Sequence, residues 1–197
     1  MKLPELETAR TFTTHYACVD ARLLHRYFRD NADFFAPWEP LREPGHDDVP
    51  RIEERQTASL ADFEAGRAVQ LVALDPARAR VLAVCNFTGI VRGPFQACYL
   101  GYSVDEAHQG TGVMFEVAQA GLAYMRDVVG LHRVMANHMP RNVRSARLLA
   151  RLGFEREGYA RAYIQIAGAW EDHVLNAVVF DGVSPLPTSR ETHRGHS

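Results

Sequence analysis

Residues Tyr99–Phe115, YLGYSVDEAHQGTGVMF, join a strand pattern to a helix pattern. The stretch begins as an apolar strand pattern that ends near Val104, passes through a loop containing Gly110 and Gly112, and continues directly into a helix. Apolar residues then recur at spacings of three and four, at Phe115, Ala118, Leu122, Met125 and Val129. This spacing predicts a helix over 112–129, with its apolar face on a sheet and its N-terminus pointing at the loop.

The loop Gln109-Gly110-Thr111-Gly112 has the features of an anion cradle. Glycines let the backbone approach a ligand closely, and the free amides at a helix N-terminus favour a negative group such as a pyrophosphate. A tight strand-to-helix turn would also need glycines for its geometry, so the loop alone leaves both interpretations open. A dinucleotide fingerprint would need glycine in place of Phe115, and a Walker loop would need Gly-Lys-Ser/Thr, so both motifs are excluded.

Outward from this stretch, the sequence predicts one sheet with helices around it. Upstream it predicts a strand, two helices and an antiparallel meander of three strands, over 11–19, 21–31, 50–65, 68–74, 81–91 and 95–104. Asp20 and Asp48 are the expected N-caps of the two helices. Downstream it predicts a strand, a helix and two strands, over 133–137, 142–152, 154–166 and 170–180. The fold class is therefore α+β, or mixed α/β.

Composition describes one globular domain. The chain has 197 residues, of which 47% are hydrophobic, with 22 basic and 24 acidic side chains. A chain of this length buries enough surface to form a core without disulfides or metals. We expect a single domain over 1–180 and a flexible C-terminal tail over 181–197, because the tail holds two prolines and no apolar period.

Charge and cysteine usage limit the classes of partner. A formal net charge of −2 gives no global field that would attract nucleic acid or an anionic membrane, and no apolar run follows Glu5 and Glu7. Cys18, Cys85 and Cys98 are odd in number and flanked by apolar residues, which is typical of reduced core thiols in a cytoplasmic protein. No cluster has metal-ligand spacing, so we expect no metal. From the net charge and the N-terminal sequence, we expect no direct nucleic-acid binding and no membrane association.

Two motifs give the chain a resemblance to a known family, the GNAT (Gcn5-related) N-acetyltransferases. Residues 109–114 are similar to the family's acetyl-CoA loop, Gln/Arg-x-x-Gly-x-Gly/Ala, except that Met114 replaces the small last residue. The second motif begins with Asn142-x-x-Ser145 and continues with Leu148-Leu149 and with 151–154, Arg-Leu-Gly-Phe. The resemblance covers residues from about 9 to 180. It implies a mostly antiparallel twisted sheet flanked by helices, with acetyl-CoA as co-substrate.

Within that family, the chain resembles the Rim-type enzymes, which acetylate N-terminal alanines of ribosomal proteins. Four phrases carry this resemblance, at 35–40, 91–103, 132–137 and 149–160. It implies acetyl transfer, in a ternary complex, to the N-terminal amine of a small-subunit ribosomal protein by a monomer or homodimer. Two alternatives stay open: an enzyme that acetylates a small-molecule amine, or a non-catalytic ribosome-assembly factor with the same fold.

The cofactor-binding residues follow from the resemblance. It implies that acetyl-CoA contacts the end of one strand, the loop, the start of the following helix, and three polar residues further along the chain. These residues are Val104, Gln109, Gly110, Thr111, Gly112, Val113, Met114, Asn137, Asn142 and Arg147. Arg141, Arg144 and Arg147 are spaced three apart and are expected to share one helix face.

The chemistry of acetyl transfer places modest demands on a catalytic base. An α-amine with a pKa near 8 is about one-tenth neutral at pH 7, whereas orientation of the two reactants is worth roughly 7–11 kcal/mol. The resemblance implies that Ser145 donates a proton to the departing thiolate, and a polar first-turn residue that satisfies backbone amides is the open alternative. Glu39 is a candidate to bind the acceptor ammonium or to guide its proton to water, and a solvated loop carboxylate is the open alternative. The Rim-type position of a glutamate base falls on Ile164, which leaves the base unassigned.

The acceptor is expected to lie against the loop and strands that line the family's cleft. The candidate substrate-binding residues are Trp38, Asn86, Arg92 and Tyr102. Ordinary packing or sheet hydrogen bonding is the open alternative for each of them. Asp172 and His173 are neighbours in a predicted strand, so their side chains should face opposite sides and not act together.

Overall fold

One eight-stranded sheet organises the chain. The computed structural model describes residues 2–181, so all but the first residue of the predicted tail lies outside the described residues. The strands are β1 Glu5–Glu7, β2 Phe12–His15, β3 Val69–Leu74, β4 Val81–Val91, β5 Ala97–Val104, β6 Arg133–Met135, β7 Glu155–Ile166 and β8 Ala169–Val179. The helices are α1 Ala21–Asp30, α2 Ala32–Phe35, α3 Val49–Glu64, α4 Val113–Asp127 and α5 Val143–Arg151.

The strand order creates an opening in the sheet. The order is β1-β2-β3-β4-β5-β6-β8-β7, and β5 with β6 is the parallel pair. That pairing ends at Tyr99 opposite Met135, although β5 continues to Val104. The chain beyond β6 turns to β8 instead, since the Ala136 amide donates to the Asn176 carbonyl over 2.9 Å. The two strands therefore diverge, and the edge of β5 is left facing a cleft.

Apolar clusters lie on both faces of the sheet. The larger one packs α4 against β3, β4 and β5, and it includes the fully buried Phe87, Val117 and Met125. A Cβ at Gly121 would lie 2.8 Å from the Phe87 ring, so glycine lets α4 approach the sheet closely. The smaller cluster packs α1 and α3 on the other face, around Leu24 and Ile52. This arrangement confirms the expected mixed α/β fold.

Helix and strand ends differ from the sequence-based boundaries for local reasons. Asp20 caps α1 by accepting the Arg22 amide over 2.8 Å, but Asp48 occupies the N-cap position of α3 without a side-chain cap bond. The predicted strand 11–19 stops at His15, because its Nδ1 accepts the Ala17 amide over 3.2 Å and starts a 3₁₀ turn. The short strand β1 was not predicted, since three residues carry too little pattern.

The cysteine prediction needs one correction. Cys85 and Cys98 are buried thiols on β4 and β5, as expected, whereas Cys18 is exposed. Its 3₁₀ turn carries the side chain away from the core, into which the neighbouring Tyr16 and Val19 point instead.

Among residues 2–181, no helix has the length and apolar character needed to cross a bilayer. The same residues contain no group of three or more His, Cys, Asp or Glu side chains placed to hold a metal ion.

Candidate active site

A cleft of about 1020 Å³ opens where β5 and β6 diverge. Its floor is the end of β5, and one wall is the glycine loop with the start of α4. The opposite wall comes from α5 and the segment after β6. The aromatic residues that follow α1 close the far end, among them Phe34, Phe35 and Trp38. The cleft therefore brings together segments that are far apart in the sequence.

The glycine loop presents unpaired backbone amides to this cleft. Gly110 and Gly112 have φ of +68° and +89°, which L side chains rarely adopt. Gly112 is the N-cap of α4, so the positive end of the helix dipole lies at the loop. Among the described residues, the amides of Gly110, Gly112, Val113 and Met114 have no hydrogen-bond acceptor. These amides form a site suited to a phosphate or pyrophosphate.

Most of the predicted cofactor residues face the cleft. The residues that line it are Val104, Gln109, Gly110, Gly112, Met114, Asn137, Asn142 and Arg147. Thr111 and Val113 line a smaller hollow on the outer side of the loop instead. In addition, the Thr111 amide donates to the His108 carbonyl over 3.5 Å, so it is not free for a ligand. The side chains of these two residues therefore lie behind the loop, while the amide of Val113 stays among the unpaired amides of the site.

Ser145 stands in the first turn of α5 and is fixed from two sides. Its amide donates to Asn142 Oδ1 over 3.1 Å, which makes Asn142 the side-chain cap of the helix. Its hydroxyl lies 2.6 Å from the Tyr102 hydroxyl on β5. Burial raises the pKa of Tyr102 to about 12, so the two residues form a neutral hydroxyl pair at the cleft. Such a pair can donate a proton or a hydrogen bond to a leaving thiolate.

The sequence placed Tyr102 with the acceptor and gave no sign of its contact with Ser145. Both residues line the cleft, but they come from a strand and a helix and are 43 positions apart in the sequence. A contact of this kind depends on how α5 docks beside β5. Only the alternation of β5, which puts Tyr102 and Leu100 on one face, could have suggested that Tyr102 faces the cleft.

A second polar group surrounds Asn137. Its Nδ2 donates to the Tyr163 hydroxyl over 3.3 Å, and its Oδ1 accepts the Asn176 amide over 3.3 Å. The ring of buried His173 lies 5.5 Å from that of Tyr163 and also lines the cleft. Asp172 faces the other way and accepts from Tyr159 over 2.6 Å. The two neighbours thus point to opposite sides of β8, as expected.

The acceptor candidates separate into two groups. Trp38, Glu39 and Asn86 line the cleft, and Glu39 forms an ion pair with Arg42 over 2.8 Å. The Oδ1 atom of Asn86 is buried and has no partner among the described residues. Arg92 is a correction, because it lies outside the cleft and donates to the Val129 carbonyl over 2.8 Å. It follows the far end of β4, and this places it beside the C-terminus of α4 rather than its N-terminus.

The three arginines at 141, 144 and 147 do not act as one set. Arg144 and Arg147 on α5 line the cleft, whereas Arg141, which precedes the helix, pairs with Glu171 over 2.6 Å and lies 5.9 Å from the Trp38 ring. Arg151, which was not among the candidates, lies in the cleft wall with its guanidinium 3.9 Å above the Phe115 ring. Phe115 was expected on the sheet. It is only half-buried, because it packs under Arg151 instead.

Comparison with known proteins agrees with this geometry. A profile described as "Acetyltransferase (GNAT) domain" matches residues 10–155. The chain belongs to the GNAT acetyltransferase family. It is 44% identical over 167 residues to the "[Ribosomal protein uS5]-alanine N-acetyltransferase" of Escherichia coli K12, covering 84% of this chain and 86% of that protein. The expected Rim-type membership is confirmed by this relative.

Solved structures agree with the fold of this acetyltransferase. A ribosomal-protein-S5-alanine acetyltransferase from Vibrio fischeri superposes with a TM-score of 0.88 at 32% identity, covering 92% of this chain and all (100%) of that one. Mycobacterium smegmatis RimJ, in complex with CoA-disulfide, superposes with a TM-score of 0.80, covering 94% of this chain and 89% of that one. At 23% identity, that second likeness supports the fold alone. The sequence-based assignments of an N-acetyltransferase and of a Rim-type resemblance are confirmed by the family match and the Escherichia coli relative.

Proposed function

We propose that this protein transfers the acetyl group of acetyl-CoA to the N-terminal α-amine of a protein, in particular the N-terminal alanine of a small-subunit ribosomal protein. One observation carries the proposal: Gly110 and Gly112, whose amides are unpaired, line the same cleft as Ser145. A pyrophosphate and a thioester sulfur could thus be held together in one site. The names of the Escherichia coli and Vibrio fischeri relatives, both S5-alanine acetyltransferases, support the choice of acceptor.

Acetyl-CoA would bind along the wall formed by the loop and α5. The loop amides would hold its pyrophosphate, with Arg147 as a nearby positive charge at the cleft. Asn137 has its amide group tied to Tyr163 and to the Asn176 backbone, so it is a rigid polar neighbour for the pantetheine arm or the acetyl group. The residues present therefore fit the co-substrate at both its anionic and its acyl end.

The transfer itself needs orientation more than strong acid or base catalysis. The neutral amine attacks the thioester carbon, the C–N bond forms, and the C–S bond then breaks. The amine gives its proton to water, and the departing thiolate takes one from water, so protons balance. Ser145 donates a hydrogen bond to the developing thiolate while Tyr102 supports its hydroxyl. A hydrogen bond to a charged group is worth about 1.5–3 kcal/mol, which is enough to accelerate this step.

The acceptor would enter from the aromatic end of the cleft. Trp38 provides an apolar surface there, and the unpartnered Asn86 Oδ1 provides an acceptor for an N–H group. Glu39 is paired with Arg42, so it would contribute a screened negative charge rather than a free carboxylate. A free protein N-terminus, which carries several N–H donors, matches this arrangement. The proposal also places the enzyme in the cytoplasm, as a monomer or homodimer, and gives RNA no role in the reaction.

Thiol release with defined acceptors tests the proposed function. The purified protein is incubated with acetyl-CoA and an Ala-initiated peptide, and with the same peptide blocked at its N-terminus. We expect release of free CoA and a mass increase of one acetyl group on the open peptide alone. A panel of polyamines and amino acids tests the alternative class of acceptor. Equal release with blocked and open peptides, or a preference for a small amine, would contradict the proposal.

A further inference from the structure

An arginine outside the cleft contacts the back of the glycine loop. Arg10 lies just before β2, and its Nη1 donates to the carbonyl oxygen of Thr111. Its Nε and Nη2 atoms donate to Glu116 Oε1 over 3.1 and 2.8 Å. Arg10 lines the hollow behind the loop and not the cleft itself. A ligand in the cleft would therefore meet the loop, with Arg10 on its far side.

The geometry of one peptide bond connects this contact to the cleft. In a trans peptide, the carbonyl of one residue and the N–H of the next point in opposite directions, and the described chain has no cis bonds. Arg10 holds the Thr111 carbonyl outward, toward the hollow. The N–H of Gly112 is thereby directed inward, toward the site suited to a pyrophosphate. The orientation of this amide depends on a side chain that the ligand does not touch.

The Arg10 side chain is itself held in place by its hydrogen-bond partners. Glu116, in the first turn of α4, also accepts a hydrogen bond from the Thr8 hydroxyl over 3.3 Å. The hydrogen bond from Arg10 is the main cause that lowers the pKa of Glu116. A Cβ at Gly112 would lie 2.8 Å from Arg10 Nη2, so a side chain there would displace the guanidinium. Arg10, the loop and the first turn of α4 consequently form one unit.

We propose that Arg10 is a positioning residue for coenzyme A, which acts by fixing the Gly112 amide toward the pyrophosphate and not by contact with the ligand. This inference rests on the proposed function, because it assumes coenzyme A as the ligand of the loop. A simple charge effect makes the opposite prediction for Glu116. If charge alone mattered, removal of this carboxylate would strengthen the binding of an anion. If Glu116 acts by holding Arg10 in place, its removal would weaken that binding.

Calorimetric titration with coenzyme A distinguishes the two explanations. Arg10→Met should raise the Kd about tenfold, the effect of losing one well-oriented hydrogen bond. Glu116→Met should also raise the Kd, although it removes a negative charge near the ligand. Arg10→Lys keeps the charge but lacks the planar fork, so its Kd should stay well above that of the wild type. The double variant should be no weaker than Arg10→Met, because both changes disrupt the same unit.

A matched arginine elsewhere provides the control. Arg67 follows α3 and pairs with Asp62 of that helix over 2.7 Å, outside the cleft. Arg67→Met should therefore leave the Kd for coenzyme A unchanged. The rate with S-acetylpantetheine, which carries no phosphate, should change less than twofold in Arg10→Met. Thermal unfolding of each variant shows whether it is folded.

The two proposals fail in different ways. A wild-type protein that does not bind coenzyme A would contradict the proposed function. If the wild type binds, an unchanged Kd in Arg10→Met would overturn the positioning role. Tighter binding by Glu116→Met, or full affinity in Arg10→Lys, would overturn it as well and would favour the simple charge effect. If Arg10→Met fails to fold, Arg10→Lys and Glu116→Met still decide the question.

Discussion

The two ends of the cleft are built from different parts of the chain. At the end suited to a pyrophosphate, the groups available to a ligand are the unpaired backbone amides of Gly110, Gly112, Val113 and Met114. At the end suited to acyl transfer, they are side chains from separate elements, such as Asn86, Tyr102 and Ser145. Changes at the first end should therefore act through backbone geometry and affect affinity. Changes at the second end should act through single polar groups and affect turnover.

The largest effect is expected from Gly112→Asp. The residue has φ of +89°, its Cβ would meet Arg10 Nη2, and the new carboxylate would repel a pyrophosphate. We expect the Kd for coenzyme A to rise more than about 100-fold, measured by calorimetry. Gly130→Asp is the matched control, since Gly130 has φ of +73° beyond the other end of α4 with nothing within 4 Å of its Cβ. Comparable binding by wild type and Gly112→Asp would contradict the backbone-built site.

At the other end, Ser145→Ala should lower turnover and leave affinity almost unchanged. The variant removes the cleft hydroxyl that is proposed to donate to the leaving thiolate, and loss of a general acid or an equivalent donor lowers rates about 100-fold. The Kd for coenzyme A should stay within twofold, since the loop amides are intact. Steady-state kinetics with an Ala-initiated peptide measures the first quantity and calorimetry the second. A variant with normal turnover would exclude Ser145 from the reaction.

The same contrast explains what could be predicted from the sequence. The loop was recognisable because Gln109 to Gly112 and the helix after them form one local pattern. Arg92 was expected at the cleft, but it follows the end of β4 that lies away from the cleft and contacts Val129 there. The contacts of Tyr102 with Ser145, and of Arg10 with Thr111, join residues 43 and 101 positions apart. No local spacing encodes such pairs.

Tyr102→Phe should have a smaller effect than Ser145→Ala. The ring and its packing are kept, but the hydroxyl that lies 2.6 Å from Ser145 is lost. One hydrogen bond of this kind contributes about 1 kcal/mol, so turnover should fall about fivefold to tenfold while the Kd for coenzyme A is unchanged. A fall as large as that of Ser145→Ala would instead make Tyr102 an equal contributor to stabilising the departing thiolate. Their double variant should then be no slower than either single one.

The smallest effect is expected from pH on the alkaline side. Burial raises the pKa of Tyr102 to about 12, so the hydroxyl pair loses its proton only as pH rises through that value. The acceptor α-amine loses its proton near pH 8. With an Ala-initiated peptide, kcat/KM should therefore rise to about pH 8 and then stay level to about pH 10. A decline between pH 8 and 10 in the folded wild type, absent from Tyr102→Phe, would show that Tyr102 ionises in this range and that burial does not keep the pair neutral.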